Sequence, residues 1–238
     1  MGAFMAFMVT YNTNSPWLGV LVAILCGVLV GLVYGFLVIW FGVDQPITGI
    51  AFNLLILGSF SFLYRITFGI PQVLPIASGA FSLVSIPLLS KIPWLGEILF
   101  TQYSLVFYAY ILVIVSIFFF NRTKAGIIVI ACGENPRAAE TRGIHVNFTR
   151  LSLLVGSAFA ALAGAYLSIA QFNQYTAGMV AGRGYIAFAL VIFGKWNPQK
   201  ILIGAVLFGF LEAASLLMQV ASVIPHQFLL MAPYLLTI

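Results

Sequence analysis

The sequence predicts an all-α membrane protein in which several helices cross the bilayer. Hydrophobic residues make up 63% of the 238 residues and charged residues only 6%, whereas soluble domains carry about 25% charged residues. The mean hydropathy is +1.13. Uncharged apolar runs recur along the chain, each close to the roughly 20 residues that a helix needs to cross a bilayer about 30 Å thick. Together these observations favour a polytopic transmembrane helical bundle.

Five apolar runs are the predicted spans: Leu18–Phe41, Ile47–Tyr64, Ser104–Phe120, Leu151–Ala170 and Ile201–Val220. The turn Asp44-Gln45-Pro46 separates the first two, and Pro46 suits the start of a helix. The apolar stretch before Tyr11 and the run Phe228–Ile238 are both too short to span. We therefore expect a single transmembrane domain over residues 1–238 that is truncated at both ends, with a re-entrant terminus as the alternative.

The segment Gln171–Gly194 is predicted to be a broken or re-entrant helix. Its first half holds polar side chains and glycines, whereas Tyr185–Gly194 is apolar and reaches only about 15 Å at 1.5 Å per residue. Irregular backbone is tolerated at membrane depth only where protein or a water-filled cavity covers it. Discontinuous helices of this kind often line the binding sites of transporters.

The polar segment Asn121–Arg150 contains five of the ten Lys and Arg residues, namely Arg122, Lys124, Arg137, Arg142 and Arg150. Because basic residues concentrate in cytoplasmic loops, this segment is expected on the cytoplasmic side. A charged loop of this length is more than a connection between two spans needs. The composition therefore predicts a docking surface for a cytoplasmic protein over residues 121–150.

A short helix is predicted inside this polar segment. Asn135 is a good N-cap, Pro136 suits the first helical position, and Gly143 suits the C′ position. A helix of about two turns is not stable alone in water. Arg137 lies near the N-terminus, where a positive charge opposes the helix dipole. This placement favours a helix that faces a partner, and the alternative is an ordinary solvated loop helix.

The spacing Ala138-Ala139-x-x-x-Gly143 resembles the Ala-Ala-x-x-x-Gly core of the cytoplasmic loop in ABC importer permeases. The runs Gly133–Ile144, Gly178–Ala187 and Phe193–Pro198 resemble the branch of that superfamily that serves branched-chain amino acids, ribose-type sugars and nucleosides. The nucleoside type is the most similar, and the resemblance covers nearly the whole chain. One departure is Arg137, because an acidic residue often precedes the paired alanines in other ABC permeases.

The resemblance implies that the short helix is a coupling helix that sits in a groove of a separate ATPase subunit. The residues expected to contact the ATPase are Glu134, Asn135, Pro136, Arg137, Ala138, Ala139, Glu140 and Gly143. The chain itself lacks the phosphate-binding motif Gly-x-x-x-x-Gly-Lys-Ser/Thr, so it is expected to hydrolyse nothing and to need no cofactor or metal.

By the same resemblance, the chain is expected in the plasma membrane of a prokaryote as part of a nucleoside importer. Its implied partners are the ABC ATPase, a second permease that forms a heterodimer with it, and an extracytoplasmic substrate-binding lipoprotein. Ribose-like sugars or branched-chain amino acids are alternative substrates. An ion-coupled secondary transporter is the alternative from another class, but it would want acidic residues in several spans, and only Glu212 lies clearly within one.

Glu212 lies near the middle of a predicted span, where a charge costs about 2.5–3.5 kcal/mol or more. We therefore expect it to have a polar partner such as a hydroxyl, an amide or an arginine. It serves either the substrate path or a structural helix–helix contact, since polar contacts between membrane helices are common. The residues predicted to line the path are Asn53, Gln171, Asn173, Gln174, Arg183 and Glu212. Phe172, Tyr175 and Tyr185 could stack on a substrate, with core or lipid packing as the alternative.

Overall fold

The structure, a computed structural model, describes residues 1–69, 74–85, 100–146 and 150–220; the side chains at 215, 216 and 218–220 lie outside this description. The helices are α1 Gly2–Thr13, α2 Pro16–Gly35, α3 Gln45–Phe68, α4 Ser104–Arg122, α5 Lys124–Glu134, α6 Pro136–Thr141, α7 Ser152–Tyr166, α8 Arg183–Phe193 and α9 Pro198–Val220. Two π-helical turns, Phe36–Trp40 and Leu167–Gln171, extend α2 and α7. Two short strands, β1 Leu83–Ser85 and β2 Thr101–Tyr103, pair antiparallel.

Four of these helical stretches are long and apolar enough to cross a membrane: Pro16–Trp40, Gln45–Phe68, Ser104–Arg122 and Ser152–Gln171. They coincide with four of the predicted spans. Helix α9 contains the fifth, and its 23 residues extend about 34 Å at 1.5 Å per residue. The predicted fold class, a polytopic helical bundle with one broken helix, is confirmed. The apolar run Phe228–Ile238 lies outside the described residues.

The chain divides into two compact units. The first consists of Met1–Ile111 and Arg122–Met179, and the second of Leu112–Asn121 and Val180–Ile238. The first unit therefore holds α1, α2, α3, the strands, the polar segment from Arg122 onward and α7, whereas the second holds the half-length helix α8 and the long helix α9. Helix α4 contributes residues to both.

Small residues recur every fourth position along α2, at Gly19, Ala23, Gly27, Gly31 and Gly35, and all five are buried. Because four residues advance an α-helix by about 400°, each position is displaced by about 40° from the previous one. The stripe therefore turns around the helix as it ascends. Its first half faces α1 and its second half faces α7. We call this stripe the glycine seam.

The contacts at each end of the glycine seam show this change of neighbour. At Gly19, an added Cβ would lie 2.7 Å from the carbonyl oxygen of Ala6 in α1, and at Gly27 it would lie 2.8 Å from that of Ser157 in α7. Backbone atoms cannot move aside as a flexible side chain can. The seam thus lets two neighbouring backbones approach α2 more closely than any larger residue would allow, which is the usual basis of tight helix packing in membranes.

Helix α1 is too short to span, as its sequence indicated, and it packs inside the first unit instead. Ala6 and Phe7 are fully buried. At its beginning, Ala3 approaches Gly164 of α7 so closely that a Cβ on the glycine would lie 2.9 Å from the Ala3 nitrogen. Helix α1 thus fills the groove beside α2 and α7.

An aromatic cluster, formed by Phe4, Phe7, Tyr64, Phe68 and Tyr175, joins α1, α3 and the segment after α7. The rings of Phe4 and Tyr175 meet edge to face with centroids 5.3 Å apart, and those of Tyr64 and Tyr175 also lie 5.3 Å apart. Such pairs contribute about 0.5–1.5 kcal/mol beyond the burial of area. The cluster therefore fixes the position of the polypeptide that follows α7.

In the second unit, α8 and α9 form an antiparallel hairpin around the turn Gly194–Asn197. Lys195 and Trp196 both have positive φ, at 50° and 60°, which reverses the chain within a few residues. Leu190 packs on Gly204, where an added Cβ would lie 2.8 Å from the leucine side chain. This contact sets the register of the hairpin.

The glycine seam generates a stability prediction. Replacing Gly27 with Ala should destabilise the protein by about 1–3 kcal/mol, because the new methyl group would overlap the Ser157 carbonyl and the Ala161 side chain. The matched control is Gly58→Ala in α3, where an added Cβ meets nothing within 4 Å. Thermal unfolding of the detergent-purified variants measures both. Equal melting temperatures for the two variants would contradict this account of the seam.

Candidate functional site

The polar segment 121–150 contains the short helix α6, as predicted. The side-chain oxygen of Asn135 accepts a hydrogen bond from the Ala138 N–H at 3.1 Å, and Pro136 occupies the first turn. The N-cap is therefore confirmed. It satisfies one of the N–H groups that a helix start leaves without a partner.

The end of α6 is a Schellman motif. Gly143 has φ +77°, its N–H donates to the Glu140 carbonyl at 2.9 Å, and the Ile144 N–H donates to the Ala139 carbonyl at 3.2 Å. These two bonds and the apolar contact of Ile144 beneath the helix are the defining features of the motif. The predicted role of Gly143 as the C′ residue is confirmed.

Ala139 is the one buried residue of α6, and it packs against Cys132, Ile144 and Val146. The other residues predicted to contact the ATPase are all exposed: Glu134, Asn135, Pro136, Arg137, Ala138, Glu140 and Gly143. A cleft of about 280 Å³ borders the end of α6 and is lined by Glu140, Gly143, Ile144, His145 and Val146. The packing of Ala139 therefore anchors the helix on the neighbouring residues, and its polar side chains are exposed.

The structure also contains a helix that the sequence reasoning missed. Helix α5, Lys124–Glu134, lies within the segment that was predicted to be a loop around α6. The sequence feature that marks the start of this helix is Thr123. Its side chain accepts a hydrogen bond from the Gly126 N–H at 3.1 Å, as the side chain of an N-cap residue does. Cys132 near its end supplies the buried surface on which α6 rests. The segment predicted to be a docking surface therefore contains two consecutive short helices, α5 and α6.

In the first unit, the predicted path residues Asn173 and Gln174 lie where the chain turns after the π-helical extension of α7. Asn173 adopts φ +53°, its carbonyl accepts a hydrogen bond from the Ala77 N–H at 3.0 Å, and Gln174 pairs with Ile76 in an isolated bridge. π-Helical turns often occur at functional sites. The side-chain oxygen of Asn173 is buried and makes no hydrogen bond within the described part of the chain.

The other predicted path residues of this unit are more open. Gln171 is exposed at the end of the π-helical turn, and Asn53 is exposed on α3. Among the aromatic candidates, Tyr175 belongs to the buried aromatic cluster, so the alternative of core packing holds for it. Phe172 in this unit and Tyr185 in the second unit are exposed at 43% and 67%. They remain candidates for stacking on a substrate.

In the second unit, Arg183 and Glu212 form an ion pair. The Arg183 Nη2 donates to Glu212 Oε1 at 2.7 Å, a short distance typical of charge-assisted hydrogen bonds. The prediction that Glu212 has a polar partner is confirmed. That either residue contacts a substrate stays a prediction.

The register of the α8–α9 hairpin accounts for this pair. Leu190 faces Gly204, and continuing the antiparallel register for seven residues brings Arg183 beside Leu211 and Glu212. Arg183 is the first residue of α8, whose 11 residues place it about 16 Å from the hairpin turn. This is about half the thickness of the hydrocarbon core, which is where a charge most needs a partner of opposite sign.

Exposure limits how strongly the pair stabilises the protein. The side chains of Arg183 and Glu212 are 33% and 46% exposed, so solvent screens them in part. A coupling of about 1 kcal/mol is the expected order for such a pair.

A double-mutant cycle tests this pair. Arg183→Gln and Glu212→Gln should each lower the melting temperature of the purified protein, because each leaves the other residue without its counter-charge. The double variant should be more stable than the sum of the single losses predicts, by about 1 kcal/mol. The control is Lys200→Gln, an exposed residue of α9, which should leave the melting temperature unchanged. Strict additivity would contradict the pairing.

The chain is similar to permease components of known transport systems. The family model described as "Branched-chain amino acid transport system / permease component" matches residues 1–238. TsgC13 of Haloferax volcanii, provisionally named a glucose ABC transporter permease protein, is 38% identical over 91% of this chain. The guanosine ABC transporter permease protein NupQ of Bacillus subtilis is 35% identical over 94% of it. The nucleoside ABC transporter permease protein NupC of Lactococcus lactis is 32% identical over 96% of it.

The matched region is a large part of each relative, but not the whole. It covers 65% of TsgC13, 72% of NupQ and 73% of NupC. No solved structure matches the chain. The family model covers every residue, and the four candidate spans and the capped helix α6 fit a multi-pass permease. The chain belongs to the family of branched-chain amino acid transport system permease components.

Proposed function

We propose that this chain is the membrane-spanning permease subunit of an ATP-binding cassette importer that moves nucleosides across the plasma membrane of a prokaryote. The observation that carries the proposal is helix α6. It is capped at both ends, supported from below through Ala139, and exposed on the surface that carries Arg137 and Glu140. A six-residue helix that is fixed by two caps and a buried contact can transmit a force from a bound protein to the helix beneath it.

Coupling to ATP hydrolysis would use this rigidity. An ATPase subunit that grips the exposed residues of α6 transmits its motion through Ala139 to Cys132 of α5. Only Thr123 separates α5 from α4. A movement of α5 would therefore be passed directly to α4, which is long and apolar enough to span a membrane. The residues proposed to contact the ATPase are Glu134, Asn135, Pro136, Arg137, Ala138, Ala139, Glu140 and Gly143. The proposed domain boundaries are a permease domain over residues 1–238 and, within it, a coupling loop over residues 121–150.

The choice of nucleosides rests on the relatives and on the polar groups available. Two of the relatives are named for guanosine or nucleosides, and one for glucose. Amide side chains at Asn53, Gln171, Asn173 and Gln174 both donate and accept hydrogen bonds, as the hydroxyls and base edges of a nucleoside require. Ribose-like sugars share the hydroxyls and are the second candidate substrate. Branched-chain amino acids, whose side chains are apolar, fit this set of groups less well.

The proposed partners follow from the class of transporter. They are the ABC ATPase, a second permease subunit in a heterodimer, and an extracytoplasmic substrate-binding lipoprotein. The largely exposed apolar surfaces of α3 and α4, which bury only Thr48, Tyr64 and Leu105, are available to lipid and to the second permease. An ion-coupled secondary transporter is disfavoured, because it would leave the capped helix α6 without a role.

Uptake into proteoliposomes tests the proposed function. The complete transporter, reconstituted with its binding protein, should accumulate radiolabelled guanosine when ATP is present. Parallel assays with ribose, glucose and leucine distinguish the alternative substrates, and a non-hydrolysable ATP analogue is the control for energy coupling. Accumulation driven by a proton or sodium gradient in the absence of ATP would contradict the proposal.

A substitution at the end of α6 tests the coupling role. Gly143→Val should reduce ATP-driven uptake at least about tenfold while ATP hydrolysis continues, because a β-branched residue is poorly tolerated at φ +77°. Gly133→Val is the matched control, since Gly133 lies within α5, has no positive φ, and an added Cβ there meets nothing within 4 Å. Uptake that survives Gly143→Val unchanged would overturn the assignment of α6.

A further inference from the structure

We propose that Glu212 is a specificity-determining residue: its carboxylate neutralises Arg183 at the start of α8 and keeps the substrate path selective for uncharged polar solutes over anions. This inference rests on the proposed function, since it concerns which solutes the path accepts. It assigns the ion pair a role beyond holding two helices together.

Without Glu212, the start of α8 would carry an uncompensated positive charge. Arg183 is the first residue of the helix, where the helix dipole is positive. The N–H groups of Arg183 and Tyr185 already donate to the carbonyls of Val180 and Gly182, so the guanidinium supplies most of the positive charge. A guanidinium added to a helix N-terminus is a strong attractor for carboxylates and phosphates.

Glu212 is the counter-charge at this place. From Val180 to Ile238 the sequence contains three Lys or Arg residues, Arg183, Lys195 and Lys200, and a single acidic one, Glu212. The two lysines lie at the opposite end of the α8–α9 hairpin, about 16 Å away along the helix. Glu212 therefore pairs with Arg183, the cation that lies about half the thickness of the hydrocarbon core from the hairpin turn.

The exposure of the pair determines what it can do. The two side chains retain 33% and 46% of their accessible surface in this chain, so the chain itself does not enclose the pair. An exposed, neutralised pair sets the local potential that a passing solute meets.

The expected chemical consequence is a filter by charge. With Glu212 present, a neutral nucleoside or sugar passes groups that can hydrogen-bond to it without a net charge. An anionic solute gains nothing from Arg183, whose charge is already compensated, and it is repelled by the carboxylate. Replacing Glu212 with Gln would expose a positive site that binds and retains anions.

Thiol chemistry measures this potential without any substrate. In a background of Cys26→Ala and Cys132→Ala, the substitution Ala187→Cys introduces a single thiol at a position that is exposed one helical turn after Arg183 and so lies on the same face of α8. The assembled transporter is treated with methanethiosulfonates that differ only in charge, one carrying a sulfonate and the other a trimethylammonium group. The ratio of the two reaction rates, anionic over cationic, reports the local potential.

Glu212→Gln should raise this ratio at least about fivefold, because one unit charge affects the two reagents in opposite directions. Arg183→Gln should lower it by a similar factor, and the double variant should return it to within about twofold of the starting value. Glu212→Asp, which keeps the charge, should leave the ratio unchanged and serves if Glu212→Gln does not assemble. The proposal is overturned if the rate ratio is the same in all of these variants, or if the introduced thiol reacts with neither reagent.

Binding of a matched pair of solutes separates this proposal from the proposed function. Guanosine and guanosine 5′-monophosphate differ by one phosphate group, and both can be tested on the purified transporter without its binding protein. Glu212→Gln should let the monophosphate compete with guanosine at a concentration at least about tenfold lower than in the unaltered protein. If guanosine does not bind at all while the thiol ratios behave as described, the nucleoside assignment fails and the charge filter stands. If guanosine binds but Glu212→Gln leaves competition unchanged, the charge filter fails alone.

Discussion

The close approach of α2 to α1 and α7 through the glycine seam is the constraint on which the rest of the first unit depends. Because the seam turns by about 40° every four residues, one helix serves two neighbours in succession, first α1 beside Gly19 and then α7 beside Gly27. This arrangement fixes α7, and its π-helical extension carries Asn173 and Gln174 to the turn at which they meet Ala77 and Ile76. The aromatic cluster around Tyr175 then holds that turn in place.

The charged groups are arranged on a different principle. In the polar segment 121–150, charge stays on the surface of α6 while one alanine, Ala139, anchors the helix on α5. In the α8–α9 hairpin, the charge of Arg183 is compensated by Glu212, which the hairpin register brings beside it. The first arrangement suits a surface that another protein must grip. The second suits a path that polar solutes must cross.

Sequence reasoning predicted the fold class, the spans, the broken helix and both caps of α6, because each depends on local composition or on single residues such as Asn135 and Gly143. It missed α5, since the apolar run Ile127–Cys132 lies inside a charged segment whose average composition is that of a loop. It could not tell which helices meet, because that depends on contacts such as Gly27 with Ser157. The identity of the Glu212 partner also required the register of a hairpin that joins residues 29 apart in sequence.

The most direct test of the central claim is the composition of the complex that contains this chain in its native membrane. Gentle detergent extraction, followed by mass measurement of every stoichiometric component, should yield the chain together with an ABC ATPase and a second permease subunit. Their joint presence would accord with a coupling role for α6. A chain that is consistently recovered alone, even after cross-linking in the membrane, would contradict the account and favour a gradient-driven carrier.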